Sequence, residues 1–523
     1  MSNAHNVALP ILLAIPLVGS LVVFALREAQ AKLAKQLTLL ISLIVLVYTA
    51  VVGFSFDTSA HADRFQFMGS WTWIKAFGVH LAFGVDGIAM VLVGLSVVLV
   101  PTVILASWNS FDSKSGAEEE TSPSGRQRST KNFMGLILLL EFFMIGVFVA
   151  MDVFLFYVFF EAMLVPMYFI IGSFGGPRRQ YAAVKFFLYS LVGGLVMLAS
   201  VIGLYVSTGS RTFAITDLIG QVPDNATQKW LFIGFFIAFA IKAPLVPVHT
   251  WLPDAGAEAP AGGAALLVGV LDKVGTFGFL RYCLPLFPDA SRWAAPLVLI
   301  LSVIGVLYAA FLAIGQRDMK RLVSYTSVAH FGFIGLGIFA FTTQGNSGAV
   351  LYMVNHGLST GAVFIVVGLL IARGKSRNVA DYGGAAKVTP LLAGLFLFAG
   401  LSALALPGLS TFVSEFLVLV GTFTRYKALA IFAATGIVLA AIYVLYLYQR
   451  VFQGTVNEKV TKFRDLNVRE VFAVAPLLAL IVFLGIYPKP VLNVINPAVK
   501  ATLSDVHKTD PAPELGPVAG GQR

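Results

Sequence analysis

The stretch Ile241-Lys242-Ala243-Pro244-Leu245-Val246-Pro247-Val248-His249-Thr250-Trp251-Leu252-Pro253-Asp254 places a lysine and two prolines inside an apolar run long enough to cross a bilayer. A charged side chain at mid-membrane costs between about 2.5 and 17 kcal/mol depending on how it is measured, so a lysine there is expected to face a partner or water. Each proline removes a backbone donor and crowds the preceding turn, which predicts a broken helix with freed carbonyls beside Lys242. The plain alternative is a proline kink whose lysine snorkels to the surface, but Lys242 stands near the middle of its run.

Outward from this stretch, the composition is that of a polytopic membrane protein. Of the 523 residues 58% are hydrophobic and 12% charged, with a mean hydropathy of +0.85, which excludes a soluble multidomain chain. The net charge of +10 does not point to nucleic acid, because the basic residues fall in short loops between apolar runs, where they set orientation. A single cysteine, Cys283, excludes an internal disulfide, a thiolate-held cluster and a multi-cysteine metal site. The first apolar run, about 7–26, has no basic residue before it and is of spanning length, which reads as a retained helix and not a cleaved signal.

Apolar segments of spanning length number fourteen, the seventh at about 230–251, the eighth at 260–284, the twelfth an unusually long 390–424 with Pro407-Gly408 inside, and the last at 471–495. The fold class is therefore all-α, with about 14 transmembrane helices. An even count puts both termini on one side. Most of the 36 Lys and Arg lie in the odd-numbered connections, among them Arg178, Arg179, Arg317, Lys320, Arg321, Arg373, Lys375 and Arg377, so those loops are expected in the cytoplasm and both termini outside. The segment around Phe65, Phe67, Trp71 and Trp73 alternates and predicts a short hairpin lying on the membrane. Residues 109–131, rich in Ser, Gly, Glu and Arg, read as a disordered cytoplasmic insertion, and the tail after Lys500 as loose.

Setting helices four to eight against nine to thirteen brings the broken seventh helix opposite the broken twelfth, which holds Pro407-Gly408 and Glu415. Five crossings per unit is odd, so the repeat is inverted, and two inverted repeats with discontinuous helices 7 and 12 point to a transport site near the midplane. The expected divisions are 1–131 (helices 1–3 with an external hairpin and the insertion), 132–290 (first repeat), 291–453 (second repeat) and 454–523 (last helix and tail).

The remaining intramembrane charges fit that site. Glu161, eight residues into the fifth segment, would have its proton affinity raised by burial and lowered by a nearby lysine, so a Glu161–Lys242 contact suits proton exchange; a static salt bridge locking two helices is the alternative. Lys273 repeats the arrangement one helix later and reads as a relay. Its neighbour Asp272 points about 100° away and is expected to cap or pair locally. Glu415 lies just past the second break, where the hydroxyls of Ser410, Thr411 and Ser414 can hold water. His330 and His356 follow Lys273 in the chain; each is either a proton carrier or a hydrogen-bonded core histidine. Glu141 is one more buried carboxylate, placed near an entry to Glu161. No metal-ligand spacing, phosphate loop, nucleotide fingerprint or Ser-His-Asp set is present, and His249 stands alone.

These motifs resemble the antiporter-like proton-translocating subunits of respiratory complex I, NADH-quinone oxidoreductase, and within them the subunit M or mitochondrial subunit 4 type. The resemblance runs from Phe83-Gly84-Val85-Asp86-Gly87 to the helix after Arg450. Its motifs are Phe160-Glu161-Ala162 to Pro166-Met167-Tyr168, Lys242-Ala243-Pro244 through Trp251-Leu252-Pro253-Asp254-Ala255 to Glu258-Ala259-Pro260, Asp318 through His330, and Leu406-Pro407-Gly408 to Glu415-Phe416. It implies that Glu161 and Lys242 form a modulating pair, that Lys273 is the central relay, that His330 is on the path and that Glu415 is the terminal proton site. Glutamate at Glu415, where related antiporter subunits carry lysine, favours the subunit M type. Gly256 stands where many members have histidine, so no imidazole acts at that turn. The resemblance further implies a bacterial inner membrane, partner subunits that hold the flavin, iron-sulfur clusters and quinone, and no cofactor in this chain. A subunit of a multi-subunit cation/proton antiporter and a purely structural membrane-arm subunit are the alternatives.

Overall fold

The computed structural model describes residues 6–59, 61–111, 129–209 and 211–512. Among these, twelve helices are long and apolar enough to cross a membrane. The two expected segments outside that set are the interrupted ones. The seventh divides into Asn225–Lys242 and Trp251–Glu258, and the twelfth into Pro390–Ala403 and Ser410–Phe423. Without water in a bilayer core, a backbone can leave the helical ladder only where protein takes up the freed groups, so the helix ends at both breaks must find protein partners.

The packing meets that need at the helix ends, where Lys242, Ala243, Leu245, Ala403 and Leu404 are buried, and leaves Pro247 and Leu406-Pro407-Gly408 exposed. The helices Met319–Phe339 and Thr343–Gly374 and the continuous segment Ala261–Leu286 are buried along nearly their whole length, as expected of helices apolar on every face. Around them Arg179–Ser207 and Lys427–Phe452 turn Leu188, Val192, Ile431, Phe432 and Val438 outward, an apolar belt that suits lipid. Close approach is set by small residues. A Cβ on Gly275 would lie 2.4 Å from the Phe239 carbonyl oxygen and 2.5 Å from the Ala243 nitrogen, so the central Ala261–Leu286 segment touches the end of the Lys242 helix backbone to backbone. That segment also contains two π-helical turns, Leu267–Leu271 and Phe279–Cys283.

On one face, the ends of the odd-numbered connections gather about the Trp251–Glu258 helix. Asp254 takes Lys185 and Arg321, each at 2.7 Å. The buried Glu258 takes Arg377 at 3.1 Å and Arg178 at 3.8 Å.

Three outer segments differ from expectation or refine it. The hairpin forms, with Gln66–Ile74 antiparallel to Val79–Val85, but register irregularities and a positive φ at Phe67 break the simple alternation, leaving Trp73 exposed while Trp71 is half-buried. It is clamped to the protein: Met151 donates its backbone N–H to the Ala82 carbonyl at 2.9 Å, and the His80 N–H reaches Asp152 Oδ2 at 3.0 Å. The last segment, expected as one helix over 471–495, turns at Tyr487 into two, Val468–Ile486 and Lys489–Asp505. The tail after Lys500 is not loose as far as Asp510. Ile495, Ala498, Val499, Thr502 and Leu503 recur at helical spacing and are buried, and Arg64–Asp505 (2.6 Å), Arg292 to the Val506 carbonyl (2.9 Å) and the Thr343 N–H to Asp510 (2.7 Å) pin the rest. The core of the 109–131 insertion, residues 112–128, and residues 513–523 lie outside the described residues.

Candidate functional site

Lys242 ends its helix because Pro244 and Pro247 follow. The chain leaves the ladder with Ala243 N–H on the Phe239 carbonyl (2.7 Å) and Leu245 N–H on that of Ala240 (2.9 Å). The expected free carbonyl beside the lysine is claimed: the Trp251 indole N–H donates to the Ile241 oxygen at 2.8 Å. Lys242 itself is 1% exposed and its Nζ has no hydrogen-bond partner among the described residues. The ammonium lies 5.0 Å from the Phe160 ring and 5.6 Å from the Phe186 ring, faces that attract a cation.

Glu161 does not touch Lys242. The expected contact is replaced by electrostatic action without an ion pair, because the Glu161 carboxylate is seated instead against Gly194, where a Cβ would stand 1.4 Å from Oε1. Glutamate and lysine are thus held apart, with Oε1 unpaired and the Phe160 ring beside the ammonium.

From Lys273 onward the groups are in direct contact. Its fully buried Nζ donates to the Val268 carbonyl, freed by the π-helical turn, and lies 2.6 Å from His356 Nδ1. An ammonium donor requires Nδ1 to accept, which puts the His356 proton on Nε2, 3.2 Å from Ser327 Oγ. The ring centre of His330 is 5.2 Å from that of His356. His330 Nδ1 meets the Tyr352 hydroxyl at 2.7 Å, and that hydroxyl donates to Glu415 Oε2 at 2.9 Å. Since the Tyr352 hydroxyl hydrogen is directed at Glu415, Nδ1–H must be the donor to Tyr352 and Nε2 is the free acceptor, with no partner among the described residues.

Glu415 stands where the second break predicts, on Ser410–Phe423, and is 4% exposed. Part of the polar shell expected for water is spent on protein. Ser414 donates to the Thr411 carbonyl at 2.9 Å, and the Asn355 amide N–H reaches the Ser410 carbonyl at 2.6 Å. Glu141 is buried and, among the described residues, carries no hydrogen bond and feels no other charged group, so the structure does not join it to Glu161. Asp272 neither caps nor pairs: among the described residues both carboxylate oxygens lack a hydrogen-bond partner, and the lysines acting on it are Lys273 and Lys242. Among the described residues no group of His, Cys, Asp and Glu could hold a metal.

Two residues of this set escape a motif reading, Tyr352 and Asp272. The signal for Tyr352 is its place four residues before His356, on the same face of one helix.

The family model described as the transmembrane region of NADH:quinone oxidoreductase/Mrp antiporters matches residues 150–441, a span that takes in every group from Glu161 to Glu415. NADH-quinone oxidoreductase subunit M of Mycobacterium tuberculosis is 49% identical over a 545-residue alignment that covers 98% of both chains. The chain belongs to the subunit M family of NADH-quinone oxidoreductase. A chain of respiratory complex I from Thermus thermophilus, solved with bound NADH, superposes with a TM-score of 0.84 at 30% identity, covering 95% of this chain and 99% of that one. A chain of the Mrp complex of a Dietzia species gives 0.82 at 20% identity, over 96% and 99%, and so shares the fold. As a subunit M family member the chain is an all-α, multi-pass membrane protein.

Proposed function

We propose that this subunit carries protons across the membrane along Glu161, Lys242, Lys273, His356, His330, Tyr352 and Glu415, driven by electron transfer from NADH to quinone on partner subunits of the same complex. The observation that carries the reading is the buried run of ionisable groups from Lys273 through His356 and His330 to Tyr352 and Glu415, too costly to bury for packing alone. Protons enter at the Glu161 end of one inverted repeat and leave at the Glu415 end of the other. Because Glu161 and Lys242 stand apart, a redox-driven shift that changes their separation changes the proton affinity of Lys242 and pushes a proton toward Lys273. The chain supplies no redox centre; flavin, iron-sulfur clusters and quinone belong to its partners. The setting is a bacterial inner membrane with both termini outside.

Lys242→Ala in the whole complex tests this. Assembly and electron entry from NADH should persist while proton pumping into inverted membrane vesicles stops; full pumping would sink the reading. A cation/proton antiporter subunit shares the fold, and co-purification without flavin and iron-sulfur subunits would favour it. A purely structural role predicts that apolar replacement of both Glu161 and Lys242 leaves pumping intact.

A further inference from the structure

Between Lys242 and Lys273 the path lacks a hydrogen-bonded connection, and Asp272 stands in that gap. Its carboxylate is fully buried, with neither oxygen hydrogen-bonded to protein. The helix geometry aims it. The π-helical turn Leu267–Leu271 ends at Asp272, whose amide reaches back five residues to the Leu267 carbonyl at 3.2 Å, and such turns reorient the side chains that follow. Three residues on, Gly275 presses on the backbone of Phe239 and Ala243. Residues i and i+3 share a helix face, so Asp272 looks toward the turn that carries Lys242. Lys273, one residue later, is rotated about 100° and reaches His356. The cations that act on Asp272 are Lys273 from its own helix and Lys242 from the neighbouring one. A short carboxylate with no hydrogen-bond donor is a poor way to fill a core and an expensive one.

We propose that Asp272 is the proton carrier between the two lysines. The Lys242 ammonium gives one proton to the Asp272 carboxylate, leaving a neutral amine and a neutral carboxyl. Once Lys273 has passed its own proton to His356 Nδ1, the carboxyl gives its proton to the neutral Lys273 amine, which becomes the ammonium again as the carboxylate is restored. Charge is conserved at each step, and one proton has advanced from the broken helix to the centre of the subunit. The inference rests on the reading that Lys242 and Lys273 carry protons.

The test uses the whole complex in inverted membrane vesicles, with Lys242→Ala in parallel. Asp272→Asn keeps the shape and removes the proton site; it should assemble, accept electrons from NADH and lose proton pumping, and Asp272→Glu should recover pumping. Should Asp272→Asn fail to assemble, difference infrared spectra on NADH addition decide: a carboxyl band should move between the wild type and Asp272→Glu, and an unmoved band overturns the proposal. Full pumping by Asp272→Asn beside a dead Lys242→Ala removes Asp272 from the path and leaves the path standing. Full pumping by both removes the path itself. An assembled Asp272→Glu complex that pumps no better than Asp272→Asn also overturns the proposal, because a carboxyl is then present at the site without carrying protons.

Discussion

Tyr352 donates its hydroxyl hydrogen to Glu415 at 2.9 Å and receives one from His330 at 2.7 Å. The three helices involved, Met319–Phe339, Thr343–Gly374 and Ser410–Phe423, are packed together, so the phenol is a fixed bridge between imidazole and carboxylate. Tyr352→Phe removes the bridge and keeps the ring. Leaving buried partners unsatisfied costs about 1–3 kcal/mol, which a large membrane subunit absorbs, so the complex should still assemble and oxidise NADH. Proton pumping in vesicles should fall sharply. Wild-type pumping with phenylalanine here would show that Glu415 exchanges protons by another route.

Gly194 makes the room in which Glu161 sits, and the fit is tight enough to test by one methyl group. A Cβ there would fall 1.4 Å from Glu161 Oε1. The carboxylate is the end of a flexible side chain, so Gly194→Ala should move Glu161 and not unfold the helix pair, and alanine is the better helix former by roughly 0.5–1 kcal/mol. Assembled complex at normal abundance with reduced pumping is the expected result, read from complex content and proton uptake in the same vesicles. Equal pumping would mean that the position of Glu161 does not set the proton affinity of Lys242.

Much of this arrangement is legible in the chain. Lysine between prolines, glutamate past Pro407-Gly408 and two histidines in apolar helices are each costly in a membrane, and that cost is visible without coordinates. What is not legible is where side chains point. Asp272 and Lys273 are neighbours in sequence, and only the π-helical turn before them and the Gly275 contact decide which way each faces. Tyr352 hides because a tyrosine in an apolar helix carries no charge. The Glu161–Lys242 contact is expected from charge alone and fails because Gly194, on a third helix, offers the carboxylate a seat. The tail from Lys500 to Asp510 reads as loose by its polarity, yet its ion pair with Arg64 and the hydrogen bond from Arg292 to the Val506 carbonyl depend on residues hundreds of positions away.

Gly275 poses the opposite case to Gly194. Its missing Cβ would meet the Phe239 carbonyl oxygen at 2.4 Å, the Ala243 nitrogen at 2.5 Å and the Ala243 Cβ at 2.7 Å. Two of these atoms are backbone at the end of a helix fixed by Trp251 and cannot swing aside. Gly275→Ala must push the Lys273 helix away from the Lys242 helix, and overpacking of this kind costs about 1–3 kcal/mol. Because the same shift separates Asp272 from Lys242, loss should appear twice: less assembled complex in the membrane, and fewer protons pumped by what does assemble. Gly94→Ala is the matched control, since nothing lies within 4 Å of the Cβ it would add, and it should leave both measurements at wild type. If Gly275→Ala behaves like Gly94→Ala in both, the backbone contact is not what holds the two lysine-bearing helices in register.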